Sequence, residues 1–264
     1  MADPLELRAL AIAAAREAGA LLLDGLDKAR TDVQTKSSGT DMVSEMDRAA
    51  EACIERHLLG ARPDDGLLGE EGMRRDGTSG VRWIVDPLDG TTNYLYGLAG
   101  FGVSIAAEAD GTVIAGVVLD VIRNELFAAT LGGGATRDDA PIAVSGATDL
   151  ATTLVATGFS YNPARRARQA AMLTTLLPEV RDIRRFGAAA VDLCALACGR
   201  VDAYYEHGLA IWDLAAGALI ATEAGALMTD FLGGPAQPGA VVGAAPGVAV
   251  ALRELLARAG AGTV

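Results

Sequence analysis

Cysteine, histidine and aromatic residues are scarce in this chain of 264 residues, with three Cys, two His and 5% Phe, Trp and Tyr. The cysteines are Cys53, Cys194 and Cys198, and an odd number in a chain this long fits a reducing compartment better than a disulfide framework. A structural zinc site needs about four ligands. Only His57 and His207 could join the thiols, so no zinc site is expected. Long apolar runs are missing too. The best, Val241 to Leu252, falls short of the ~20 residues of a membrane span and contains Pro246. No basic segment leads into an apolar run near the start, so no signal peptide is read and the expected location is cytoplasmic. Positive charge is outnumbered, 22 Lys and Arg against 34 Asp and Glu, for a formal net charge of −12. Such a surface repels nucleic-acid backbones and anionic membranes, and neither is expected as a partner. It would repel a phosphate ester as well unless multivalent cations intervene, which is the first pointer to metals.

What is present is a large apolar fraction, 51%, enough for one large domain or two tightly joined halves. Asp3, Pro4 and Glu6 read as a helix start, followed by Leu7, Leu10, Ala11, Ala14, Ala18, Leu21 and Leu22 at spacings of three and four. Lys28 to Thr40 reads as a loop. A second helix carries Met46, Ala50, Cys53, Ile54 and Leu58 on one face and ends near Gly60. Strands are expected at Gly66–Gly69 and Val81–Val85, the second ending at Asp86 because Pro87 stops the ladder. An antiparallel meander follows over Phe101–Glu108, Thr112–Asp120 and Glu125–Thr130. Beyond Gly146, five short strand patterns alternate with four helical ones, which argues an α/β layer. The expected division is an α+β half over residues 1–146, with most of the acids, and an α/β half over 147–264.

The most informative segment is Asp86-Pro87-Leu88-Asp89-Gly90-Thr91-Thr92-Asn93. Asp86 and Asp89 stand three apart across a tight turn, so both carboxylates and the Leu88 carbonyl can face one point. Hard oxygen ligands of this kind suit Mg²⁺. Gly90 allows close approach of the backbone, and the Gly90 and Thr91 amides can meet phosphate oxygens. Asp-Pro-x-Asp-Gly is equally the composition of a plain turn. Two further acidic places bear on the choice. Glu70 and Glu71 directly follow the Gly66–Gly69 strand, and Asp213 opens an apolar helix at Trp212-Asp213-Leu214-Ala215-Ala216-Gly217. Glu71 also reads as a solvated loop residue, and Asp213 as a helix cap. Asp47 is either part of a capping box or a residue orienting a hydroxyl or a water.

Taken together, Gly69-Glu70-Glu71, Trp83 to Asn93 and Trp212 to Gly217 resemble the inositol monophosphatases, within the lithium-sensitive, magnesium-dependent phosphatases. Val201-Asp202-Ala203-Tyr204-Tyr205-Glu206 resembles the inositol branch, as do Lys36, Asp41 and Asp47, and Arg184 to His207 resembles actinobacterial members. The resemblance covers nearly the whole chain. It implies a layered αβαβα sandwich, a homodimer, two to three Mg²⁺ ions and inhibition by Li⁺. By position, Glu70, Asp86 and the Leu88 carbonyl would hold one ion, and Asp86, Asp89 and Asp213 a second. Glu70 and waters would hold a third near the loop carrying Lys36. Metal-activated water would attack phosphorus, positioned by Thr91 with its hydroxyl oriented by Asp47. Glu206, with Asp89 and Asp213 nearby, would accept substrate hydroxyls beside the backbone of Gly187, Ala188 and Ala189. The chain departs from the family pattern at Ala188, where a Ser or Thr is usual, so one hydroxyl contact to substrate is lost.

The expected function is hydrolysis of inositol 1-phosphate. The rivals within the class are phosphatases for histidinol phosphate, fructose 1,6-bisphosphate or a nucleotide 3′-phosphate. Outside it stand a non-catalytic metal-binding regulatory module and an anion-binding scaffold that uses only the Gly90 and Thr91 amides.

Overall fold

The computed structural model describes residues 2–26, 33–35 and 42–263. Its elements run α1 (Pro4–Gly25), β1 (Val33–Thr35), β2 (Met42–Ser44), α2 (Glu45–Ala61), β3 (Gly66–Gly69), β4 (Arg74–Arg75), β5 (Val81–Asp89) and α3 (Thr91–Leu95). The meander is β6 (Gly102–Ala109), β7 (Thr112–Asp120) and β8 (Glu125–Thr130), followed by β9 (Ala135–Arg137) and β10 (Ala140–Pro141). The second half holds β11 (Leu154–Thr157), α4 (Pro163–Leu176), β12 (Asp182–Arg184), α5 (Ala189–Ala197), β13 (Ala203–His207) and α6 (Ile211–Glu223). It closes with β14 (Leu227–Thr229), β15 (Ala240–Ala244) and α7 (Ala249–Arg258).

Eight strands form one sheet in the order β10-β9-β8-β7-β6-β5-β3-β4, antiparallel except where β3 runs parallel to β5. Five form the other, in the order β12-β11-β13-β15-β14. Side chains alternate across each strand, so each sheet feeds two cores. From β5, Trp83 and Val85 join α1 and α2 in one core, while Ile84 joins α5 and α6 in the next. From β13, Tyr204 enters that middle core, while Ala203 and Tyr205 pack with residues of α4 and α7 in the third. The result is the αβαβα sandwich, with α5 and α6 as the filling between the sheets.

These two helices fit because their faces are small. Gly116 of β7 lies against Ala216 of α6, so a Cβ at Gly116 would stand 3.0 Å from the Ala216 carbonyl oxygen. Asp3 caps α1 by accepting from the Leu5 amide, as the Asp-Pro start requires.

Two expectations need correction. Val33–Thr35, read as loop, is a strand paired with β2; Lys36 and Asp41 lie outside the described residues. Nor does Pro87 end its strand. Asp86 pairs with Ser104 and Asp89 with Gly102, so three steps on β5 match two on β6 and a bulge absorbs the extra residue. The bulge passes over the position where Pro87 has no amide to give, and the Leu88 amide turns to Asp86 Oδ1 at 3.0 Å. Among the described residues no helix is long and apolar enough to cross a membrane.

Because the contact at Gly116 is with backbone, Gly116→Ala should destabilise the protein by about 1–3 kcal/mol, read as a lowered midpoint in denaturant unfolding. An unchanged midpoint would show that the helix–sheet separation is slack there.

Candidate active site

The bulge places three groups of one short segment at the sheet edge: Asp86, the Leu88 carbonyl and Asp89. Glu70 arrives beside them because β3 is the parallel neighbour of β5 and the Glu70 amide donates to the Val85 carbonyl at 3.1 Å. From the other sheet and the middle helices come Glu206 at the end of β13 and Asp213 in the first turn of α6. With Gly90, Thr91, Gly187, Ala188 and Ala189 they line one cavity of about 360 Å³. Every site residue read from the sequence lies in this wall except Asp47, which stands behind it, and Lys36, which is outside the described residues.

Gly90 is what permits the turn from β5 into α3. Its φ is 93°, and a Cβ would stand 2.8 Å from the Gly100 carbonyl oxygen. Directly after it, Thr91 Oγ1 lies 3.1 Å from the Leu88 carbonyl and 3.3 Å from Asp47 Oδ2, so its proton has two acceptors. Asp89 spans the layers. Its two oxygens accept the amides of Ala189 (3.2 Å) and Ala190 (2.7 Å) at the start of α5. Asp213 Oδ2 accepts the Ala210 amide at 2.7 Å, so its capping role is real. Ala188 precedes α5 without a side-chain cap, as its lack of a hydroxyl requires. Glu206 accepts the Tyr204 hydroxyl at 2.7 Å in space that Gly158 leaves open, since a Cβ there would fall on its carboxylate.

The electrostatics are lopsided. Asp86 and Asp89 are almost fully buried, and burial lifts both carboxyls well above the usual range. Neighbouring acids add to this, Glu70 foremost for Asp86 and Asp213 for Asp89. Asp213 is pushed up to about 7, again by burial first, against the lowering effect of the Ala210 amide. Burial also raises Glu206. None of Asp86, Asp89 and Asp213 forms an ion pair with a cationic side chain among the described residues. Buried carboxylates without a counter-charge neutralise or bind a cation. The donors are all hard oxygens, four carboxylates and a carbonyl, and such a set fits Mg²⁺ rather than a soft metal. Among the described residues no three such side chains are already closed to metal-ligand spacing. Bonds to the Leu88, Ala189, Ala190 and Ala210 amides and mutual repulsion oppose that closure.

Compared with known proteins, residues 3–261 match the inositol monophosphatase family. The chain belongs to that family. Its members are metal-dependent phosphatases. The inositol-1-monophosphatase of Mycobacterium leprae is 42% identical over 97% of this chain and 95% of its own length. The Nus factor SuhB of Pasteurella multocida is 44% identical over 94% of this chain and 93% of its own. The crystal structure of the extragenic suppressor protein SuhB from Bartonella henselae superposes with a TM-score of 0.91 at 38% identity, covering 95% and 98% of the two chains.

Two residues of the site escaped the sequence reading. Asn93 Nδ2 donates to the carbonyls of Gly100 (2.6 Å) and Phe186 (2.7 Å), fastening α3 to the loop before Gly187. Glu51, one helical turn after Asp47 on α2, is buried and accepts the Glu71 amide at 3.0 Å, with burial raising its carboxyl. A Cβ at Gly69 would collide with it. The signal was an acid on the apolar stripe between Ala50 and Ile54. One face of α2 thus supports both the threonine corner, through Asp47, and the Glu70 turn, through Glu51.

Glu51→Leu should speed amide exchange in the Gly69–Met73 segment by about tenfold, the loss of one charge-assisted bond, whereas Glu51→Gln keeps an acceptor and should stay near wild type. Hydrogen-exchange mass spectrometry reads both, and equal protection in all three proteins would remove Glu51 from this role.

Proposed function

We propose that this protein hydrolyses inositol 1-phosphate to inositol and phosphate, with Mg²⁺ as cofactor, at the cavity between the sheets. The observation that carries this reading is a set of four acids, Glu70 after β3, Asp86 and Asp89 of β5 and Asp213 of α6, that line one cavity beside the Gly90–Thr91 corner, the three aspartates with no ion pair among the described residues. Two to three ions would be held by Glu70, Asp86, the Leu88 carbonyl, Asp89 and Asp213. When bound, divalent cations supply charge neutralisation for the ester, activation of water and stabilisation of the departing oxygen.

The chain's own groups supply the rest. Thr91 Oγ1, with its proton directed at Asp47 Oδ2, turns a lone pair toward the cavity and can accept from the attacking water; Asp47 then takes the proton onward. The first amides of α3, at Gly90 and Thr91, lie where phosphoryl oxygens develop charge. Glu206, held by Tyr204, is placed to accept hydroxyls of the polyol. With Ala188 in place of a hydroxyl residue, that wall of the cavity offers backbone only. No phosphoenzyme is needed, because water can attack directly.

The same reading takes residues 1–146 and 147–264 as two halves that meet at the cavity. It takes the location as a reducing cytoplasm, which the free thiols of Cys53, Cys194 and Cys198 favour. It takes the protein as a homodimer, for which Tyr96, Leu98 and Phe186 offer exposed apolar surface near Gly100.

Phosphate release from inositol 1-phosphate should depend on Mg²⁺ and fall when Li⁺ is added. Asp89→Asn should cut turnover at least about a hundredfold while circular dichroism stays that of the folded chain. Near-normal turnover in that variant would contradict the assignment, and release from histidinol phosphate alone would redirect it.

A further inference from the structure

A second cavity lies apart from the active site. It measures about 230 Å³ and shares no lining residue with the cavity that holds the acids. Phe127 of β8, Phe186, and Val191 and Ala195 of α5 give it apolar walls. Phe127 is buried, while Phe186 is exposed at the surface. Val191, Asp192 and Ala195 fall on one face of α5, so the helix turns that face to the cavity.

Charged groups also line this cavity, and most are already met. Arg123 Nη1 donates to Asp120 Oδ2 at 2.7 Å. Arg200 makes a two-pronged contact with Glu125. Asp192 is the exception. It is 1% exposed, its Oδ1 is buried with no hydrogen-bond partner, and it forms no ion pair among the described residues. Its place in the first turn of α5 suits an acid, since the helix dipole favours negative charge there. The dipole supplies no donor to Oδ1, however, and a buried polar atom without a partner calls for a cause. Burial lifts the Asp192 carboxyl well above the usual range, with Glu206 and Asp89 adding to it, and a cation beside it would reverse that.

The walls decide what kind of group fits. A metal ion would find too few oxygens, with phenyl and aliphatic side chains around one free carboxylate. An anion would meet Asp192, and the two guanidiniums are already engaged. An ammonium group has three donors for the carboxylate, and a compact apolar body would fill the rest. Drug-sized pockets run to roughly 300–1,000 Å³, so a cavity this small takes a single ring or a short branched chain. We propose that this cavity binds a small primary amine in its ammonium form, with the ammonium on Asp192 and the apolar body between Phe127, Phe186 and Ala195. The ligand would sit on the same helical turn whose Ala189 and Ala190 amides hold Asp89. The site does not rest on the phosphatase reading, because it shares no residue with that chemistry.

The test titrates benzylamine, and benzyl alcohol as its uncharged analogue, into the wild type, Asp192→Asn and Ala195→Leu by calorimetry with Mg²⁺ present. The wild type should bind benzylamine at least about tenfold more tightly than benzyl alcohol, and Asp192→Asn should lose most of that preference. Ala195→Leu fills the cavity and keeps the carboxylate, and should weaken both ligands by at least about tenfold. Circular dichroism checks that each variant is folded; if Ala195→Leu is not, the Asp192→Asn comparison decides. No benzylamine binding by the wild type, or equal affinity in Asp192→Asn, overturns the site. The acids of the active site also attract amines, so Glu206→Gln is the control. Binding lost in that variant and kept in Asp192→Asn assigns the amine to the other cavity and overturns the proposal.

Discussion

Negative charge crowded out of water at the junction of two sheets is the constraint on which the rest of the molecule depends. A carboxylate removed from solvent is unfavourable unless it is hydrogen-bonded or paired. Here the partners available inside the chain are amides: Leu88 for Asp86, Ala189 and Ala190 for Asp89, Ala210 for Asp213. These bonds are also structural joints. The Asp89 pair fastens the edge of the first sheet to the start of α5, the helix on which the second sheet packs. The site therefore cannot be separated from the packing of the layers, and a cation bound among these acids would stabilise both.

Close approach is the second requirement. The floor of the cavity forms only if β5, α5 and α6 come near each other, and small residues at the contacts allow it. Gly90 meets Ala188, Gly102 meets Val191 and Gly116 meets Ala216. The alanine-rich character of α5 and α6, which looks like mere helix propensity, sets how deep the acids sit and so how strongly burial lifts their carboxyls.

Much of this was legible from the chain itself. Periodicity located the long helices and the meander, because those elements owe their existence to one buried face. The segment from Asp86 to Asn93 announced a turn crowded with oxygen ligands, and the family resemblance gathered Glu70, Asp213 and Glu206 around it from distant positions. The remainder depends on topology. Pro87 reads as a strand end, since nothing local reveals that β6 will accept a bulge. Glu51 reads as a stray acid on a helix until the Glu70 turn is brought over it.

The most direct test of the acid cluster as a metal centre is a crystal of the protein grown with Mn²⁺ and measured for anomalous scattering. The account predicts peaks coordinated by Asp86, Asp89 and Asp213, and by Asp86, Glu70 and the Leu88 carbonyl. Data showing no peak within coordinating distance of Asp86 at saturating Mn²⁺ would contradict it.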